Sequence, residues 1–226
     1  MIVKTQDLLL EDIDGKIAAW IDDGITDAGD LAQIVDTVVS KNIHAISVPI
    51  ATNKKIWPWI ENKGIRIFNR INFVVDGDID DAVSVFAKNV MRAFKTGADG
   101  IQVCMQCKEL ENFIDAIAPI RDDLFFDHHF SVGINIDERG GIDWEYVFDV
   151  IGRARANSLL IMVRGDSFDA KSDFIGRVYG MFENWKLNAD LHLMFDKNMM
   201  RVTQVVRLAQ KMRPELVKNL NVFVNV

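Results

Sequence analysis

The strongest constraint on this chain is a rhythm. Apolar runs of strand length fall at 44–50, 65–73, 100–105, 129–136, 158–164, 190–195 and 221–226, and stretches of helical period separate them. The stretch 27–40 carries Leu31, Ile34, Val35, Val38 and Val39, with Thr26 or Asp27 available as a cap. The stretch 80–96 carries Val83, Phe86, Val90 and Phe94, and ends before Gly97. Further helical patterns span 109–120, 143–156, 171–186 and 199–212, the last stopped by Pro214. Strands that alternate with helices pair in parallel through right-handed crossovers. A short eighth run near 17–22 completes the set and predicts an α/β chain folded as a closed (β/α)8 TIM barrel.

A chain of 226 residues can bury one full core. Prolines number only four and no Pro/Gly/Ser-rich linker divides the sequence, so a single domain over 1–226 is expected. The sequence stops on its last apolar run, which predicts a barrel with its eighth helix missing. Residues 1–16, with Leu8, Leu9, Leu10 and Ile13, or a partner subunit in a homo-oligomer, would then cover the outer face of that strand.

The formal net charge is -7, from 26 basic and 33 acidic residues. That balance offers no attraction to nucleic acid or to an anionic membrane. No apolar run approaches the roughly 20 residues a spanning helix needs, and the acidic N-terminal stretch does not read as a signal peptide. A cytoplasmic protein is the expectation. Cys104 and Cys107 form a CxxC, a spacing used by redox pairs and half zinc sites. Cys104 lies in an apolar run and no second CxxC or His pair adjoins it, which favours two reduced thiols. No cofactor and no metal are expected.

The stretch IDDGITDAGDLAQIVDTVVSKNIHAISVP (21–49) resembles the opening of the deoxyribose-phosphate aldolase family. So do KGIRIFNRINF (63–73), at that family's third strand, and AFKTGADGIQVCM (93–105), at its Gly-Ala-Asp turn into the fourth; the likeness covers roughly 17–105. The resemblance implies an aldolase-like barrel acting on a small phosphorylated metabolite. It also implies an acidic residue near Gln102 or Cys104, a Schiff-base lysine within 159–163 and an assisting lysine within 191–195. This sequence has LLIMV and LHLMF in the last two segments, without lysine, and lacks the glycine-rich phosphate loops. A class I aldolase needs an amine of depressed pKa, so standard imine chemistry is not expected.

In a barrel of this kind, function sits at the carboxyl ends of the strands. The polar residues read there are Asp22, Asp137, Asp196 and Lys197 as candidate catalytic groups. Asn69, Gln102, Asn135, Arg164, Asp166 and His192 are the candidate substrate-binding groups. A carboxylate there serves as acid or base, Arg164 would hold an anionic group by its planar fork, and Lys197 is the remaining candidate for an imine. Arg70, inside an apolar run, either faces inward to a carboxylate such as Asp22 or packs outward under a helix. His128 and His129 begin a strand and belong to the opposite, structural face. Trp57-Pro58-Trp59 would cover the mouth or an oligomer contact, or pack under a helix. Two readings stand: a lyase acting on a small phosphorylated or carboxylated sugar-type metabolite, or a degenerate barrel that binds a ligand or another subunit.

Overall fold

The computed structural model describes residues 15–75, 77–136, 142–163, 171–195 and 199–226. Eight parallel strands close into one barrel in sequence order. They are β1 Ile17–Trp20, β2 Ala45–Pro49, β3 Arg66–Asn72, β4 Gly100–Met105, β5 His129–Asn135, β6 Ser158–Val163, β7 Asp190–Phe195 and β8 Asn221–Asn225. β8 closes on β1 with Phe223 beside Ala18 and Asn225 beside Trp20.

The helices are α1 Ala28–Ser40, α2 Ile50–Ile60, α3 Ile79–Lys95, α4 Leu110–Ile117, α5 Arg121–Phe125, α6 Trp144–Arg153, α7 Lys171–Asn184, α8 Met199–Met212 and α9 Pro214–Val217. Asp27, Asp78 and Asp143 cap α1, α3 and α6, each carboxylate accepting first-turn backbone N–H groups. The helices bury apolar stripes such as Leu31, Val35 and Val38, or Phe86, Val90 and Ala93, against the outward residues of the strands.

α2 was not anticipated. It contains Trp57-Pro58-Trp59, with Pro58 in its last turn. Trp57 lies over Gly97, which precedes β4, so this aromatic pair belongs to the amino-terminal side and does not cover the mouth. Gly97 has φ +86, and a Cβ there would lie 2.6 Å from the Trp57 ring. Glycine therefore serves both the turn and the close approach.

On the outer face of β8, Val222 is buried in one cluster with Leu216 and Leu220, while Val224 is half-buried; Phe223 points inward. The segment expected to cover this face, residues 1–16, lies almost wholly outside the described residues.

Candidate functional site at the barrel mouth

Side chains alternate between the interior and the helices along each strand. The inward set includes Ala18, Trp20, Ala45, Phe68, Cys104, Leu160, Met162, Met194 and Phe223, which form one apolar cluster. Polar inward residues then fall into two assemblies, one above this cluster and one below it.

The upper assembly centres on Arg70, which faces inward and is 7% exposed. Its guanidinium lies over the Trp20 indole, 3.9 Å from the ring centroid. One terminal nitrogen donates to the Ser47 carbonyl at 2.8 Å and the Ser47 hydroxyl at 3.1 Å. The other donates to the Ile21 carbonyl and to Asp23 Oδ1, the latter at 2.8 Å. Asp23, on the turn after β1, is the carboxylate partner, and Asp22 is not; Asp22 accepts from Asn225 Nδ2 at 2.6 Å. A buried guanidinium without a carboxylate is strongly unfavourable. Even so, Asp23 reaches Arg70 from the rim with its own side chain 63% exposed.

Beneath Arg70, Ser47 Oγ donates to Gln102 Oε1 at 2.6 Å. Gln102 Nε2 and Ser131 Oγ are buried without a hydrogen-bond partner among the described residues, on paired positions of β4 and β5. Buried donors are costly to leave unsatisfied, which marks this corner as a place for a water or a ligand oxygen. Cys104 also faces inward here, and the two cysteines are not joined in a disulfide. Gly133 stands opposite, where a Cβ would lie 3.2 Å from Cys104 Sγ.

The lower assembly is a hydrogen-bonded chain across the amino-terminal floor. His44 Nε2 meets Asn221 Oδ1 at 2.6 Å, and Asn221 Nδ2 meets His192 Nε2 at 2.9 Å. His192 Nδ1 meets Ser158 Oγ at 3.3 Å, which meets His129 Nε2 at 2.9 Å. The two imidazoles stack at 5.4 Å. Burial, aided by the Arg66 guanidinium, lowers His129 to about 4. Burial, then His129, Arg66 and His44, hold His192 well below the usual imidazole value. Both are neutral at pH 7.

These positions correct two expectations. His192 does not line the mouth. It is the third residue of β7, and the stagger of the strands brings it level with Ser158 and Asn221, the first residues of β6 and β8. Asn69 lies between inward Phe68 and Arg70 and so points outward. Its Oδ1 accepts from Asn53 Nδ2 of α2 at 3.0 Å, and Asn53 also donates to Thr96, so the group pins α2 and the end of α3 to β3.

Gln102 is inward, at the level of Ser47. Asn135 ends β5 on the inward register at the carboxyl end, half-buried, and Asp22 stands exposed on the same side. Asp137, Arg164, Asp166, Asp196 and Lys197 lie outside the described residues. Asp23 follows Asp22 at the end of β1 and is read from the sequence with it at the strand ends, but not as the partner of Arg70.

The inward positions of β6 and β7 carry Ser158, Leu160 and Met162, and His192 and Met194. None is an amine. Among the described residues no group of three His, Cys, Asp or Glu side chains is placed to hold a metal, and no helix is long and apolar enough to cross a membrane.

No protein-family model matches the chain, and no curated protein sequence matches it. Solved structures do. A candidate deoxyribose-phosphate aldolase from Toxoplasma gondii ME49 is 16% identical with TM-score 0.67, covering 98% of this chain and 94% of that one. Deoxyribose phosphate aldolase from Aeropyrum pernix is 12% identical with TM-score 0.64, covering 98% and 93%. A candidate phosphonomutase from Burkholderia cenocepacia J2315 is 10% identical with TM-score 0.57, covering 98% and 92%. At these identities the likeness establishes the fold, a TIM barrel, and leaves the chemistry to the site.

Proposed function

We propose that the protein binds a small carboxylated or phosphorylated sugar-type metabolite at the carboxyl ends of its strands. It acts on that metabolite as a lyase by acid–base chemistry, without an imine on β6 or β7. The observation that carries the proposal is the Arg70–Asp23 pair. A buried cation is held at the mouth by a carboxylate that is itself largely in solvent. That carboxylate occupies the position an incoming ligand anion would take, and charge-assisted pairing with a guanidinium is the strongest polar contact such a ligand can make. Asp22, with Asp137 and Asp196, which follow β5 and β7 in the sequence, supplies the acid and base. Arg164, Asp166 and Asn135 add polar contacts to the ligand.

A second reading follows from Leu160, Met162 and Met194 at the inward positions where the resembled family carries lysines. On that reading the barrel binds the same class of ligand and turns nothing over. The two readings share the ligand and differ in catalysis.

The test is a thermal-shift screen of sugar phosphates and keto acids, followed by titration of any hit. Asp23→Asn removes the competing charge and should tighten binding severalfold; Arg70→Lys should abolish it. Unchanged affinity in Asp23→Asn would sink the mouth site. Borohydride with deoxyribose 5-phosphate should trap no adduct. Stoichiometric labelling lost in Lys197→Ala would overturn the non-imine chemistry.

A further inference from the structure

The amino-terminal end of the barrel carries a second cleft, of about 520 Å³, which the mouth does not use. Its wall is built from strand starts and the segment before β5: Arg66, Asp99, Arg121, Phe126, His129 and Asn157 among others. In a TIM barrel this face ordinarily serves stability, and a well-packed floor would pair its charges.

Here one cation has no carboxylate partner among the described residues. Arg66 is exposed, and its guanidinium lies 4.9 Å from the Phe68 ring centroid; no described carboxylate comes within ion-pair distance of it. Asp99 lines the same cleft but is turned to the backbone, where it accepts from the Ile67 N–H at 2.7 Å. Arg121 is mostly buried, with its side chain 13% exposed. Its terminal nitrogens donate to Asp122 at 3.1 Å and to the Arg155 carbonyl at 3.0 Å, yet its Nε is buried with no acceptor among the described residues. Asn157 uses its side-chain oxygen on the Phe130 N–H, which leaves the amide nitrogen as a further donor. Phe126 stands at the lip with 76% of its surface exposed and φ +40, a backbone conformation that costs energy for a bulky residue.

We propose that this cleft is an oxyanion site for a phosphate group, held between Arg66 and Arg121. A phosphate supplies acceptors for Arg66 and for the Arg121 Nε, which lack them among the described residues, and a guanidinium fork matches its geometry. Asp99 and Asp127, on the wall, limit the site to a ligand whose phosphate reaches the arginines first; any hydroxyls then meet the carboxylates. Free phosphate and the phosphate of a nucleoside monophosphate share this chemistry. The exposed Phe126 ring distinguishes them, because a base stacks on an aromatic face and free phosphate does not.

The chain has four histidines, so their imidazole C2 protons give a sparse NMR spectrum in which the floor residues His128 and His129 report directly. Titration with inorganic phosphate should shift these two signals saturably. Arg66→Gln, an exposed position where folding is not at stake, should weaken the phosphate affinity at least tenfold. Asp23→Asn at the mouth should leave it unchanged. Adenosine monophosphate binding about tenfold more tightly than phosphate, with the gain lost in Phe126→Ala, identifies the nucleotide source; equal affinities identify free phosphate. No saturable shift in the wild-type protein, or the same affinity in Arg66→Gln, overturns the proposal. Tighter phosphate binding in Asp23→Asn would place the phosphate at the mouth and equally overturn it.

Discussion

The stacked pair His129–His192 makes the floor of the barrel acid-sensitive, and the size of the effect follows from the structure. In the unfolded chain an imidazole protonates near 6.5. In the folded protein burial, with the Arg66 charge beside it, lowers His129 to about 4. Below about pH 6.5 the unfolded state therefore binds a proton that the native state refuses, and stability falls as the pH drops until about pH 4. For His129 alone the full loss is about 3 kcal/mol, and about 2 kcal/mol has gone by pH 5. His192 shifts in the same direction and adds to the loss. The assay is urea unfolding at pH 7.5 and pH 5, followed by tryptophan fluorescence, on the wild-type protein and His129→Gln. Carboxylates titrating in the same window act on both proteins and cancel in the comparison. The wild type should lose about 2 kcal/mol more than the variant between the two pH values. Curves that stay parallel within about 0.5 kcal/mol, the ordinary error of additive effects, would refute the reasoning.

Two further substitutions test the placement of residues around the barrel. Gly97→Ala combines a positive φ with a Cβ 2.6 Å from the Trp57 ring. It should cost about 1–3 kcal/mol in denaturant unfolding, and an unchanged midpoint would mean that Trp57 does not rest there. Asn69→Ala leaves Asn53 with one fewer acceptor under α2. It should lower stability by about 1–3 kcal/mol without altering the affinity of any ligand found for the mouth; a change in affinity would return Asn69 to the site.

Strand positions were legible because parallel strands buried on both faces read as continuous apolar runs. The described β-strands fall within a residue or two of those runs. The same property hid which face points inward. Where Ile67, Phe68, Ile71 and their neighbours are all apolar, nothing in the pattern says that Arg70 enters the barrel while Asn69 leaves it. Alternation supplies the answer only once one residue is anchored. His192 was misplaced for a different reason. Position along a strand does not give height in a barrel whose strands are staggered. No helix over 50–60 is read from Trp57-Pro58-Trp59 taken on its own; Pro58, near the end of α2, removes one of its backbone hydrogen bonds without ending the helix. The lack of an amine on β6 and β7 was fully legible, since it needs only the approximate place of each strand.

The interior of this barrel is threaded by aromatic rings. Arg70 rests on Trp20, Trp20 meets Phe223 edge-on at 6.2 Å, Phe223 meets Phe68 at 5.9 Å, and Phe68 meets His192 and His129. Barrels of this fold ordinarily fill the same space with tiers of branched aliphatic side chains. Large flat rings fill it with fewer residues and fewer rotamers, and they set how deep a molecule can sink. A guest at the mouth would meet the Arg70 guanidinium before the indole of Trp20 that it covers. Selectivity must therefore come from the encircling turns, so substitutions there can change the guest while the column beneath stays as it is.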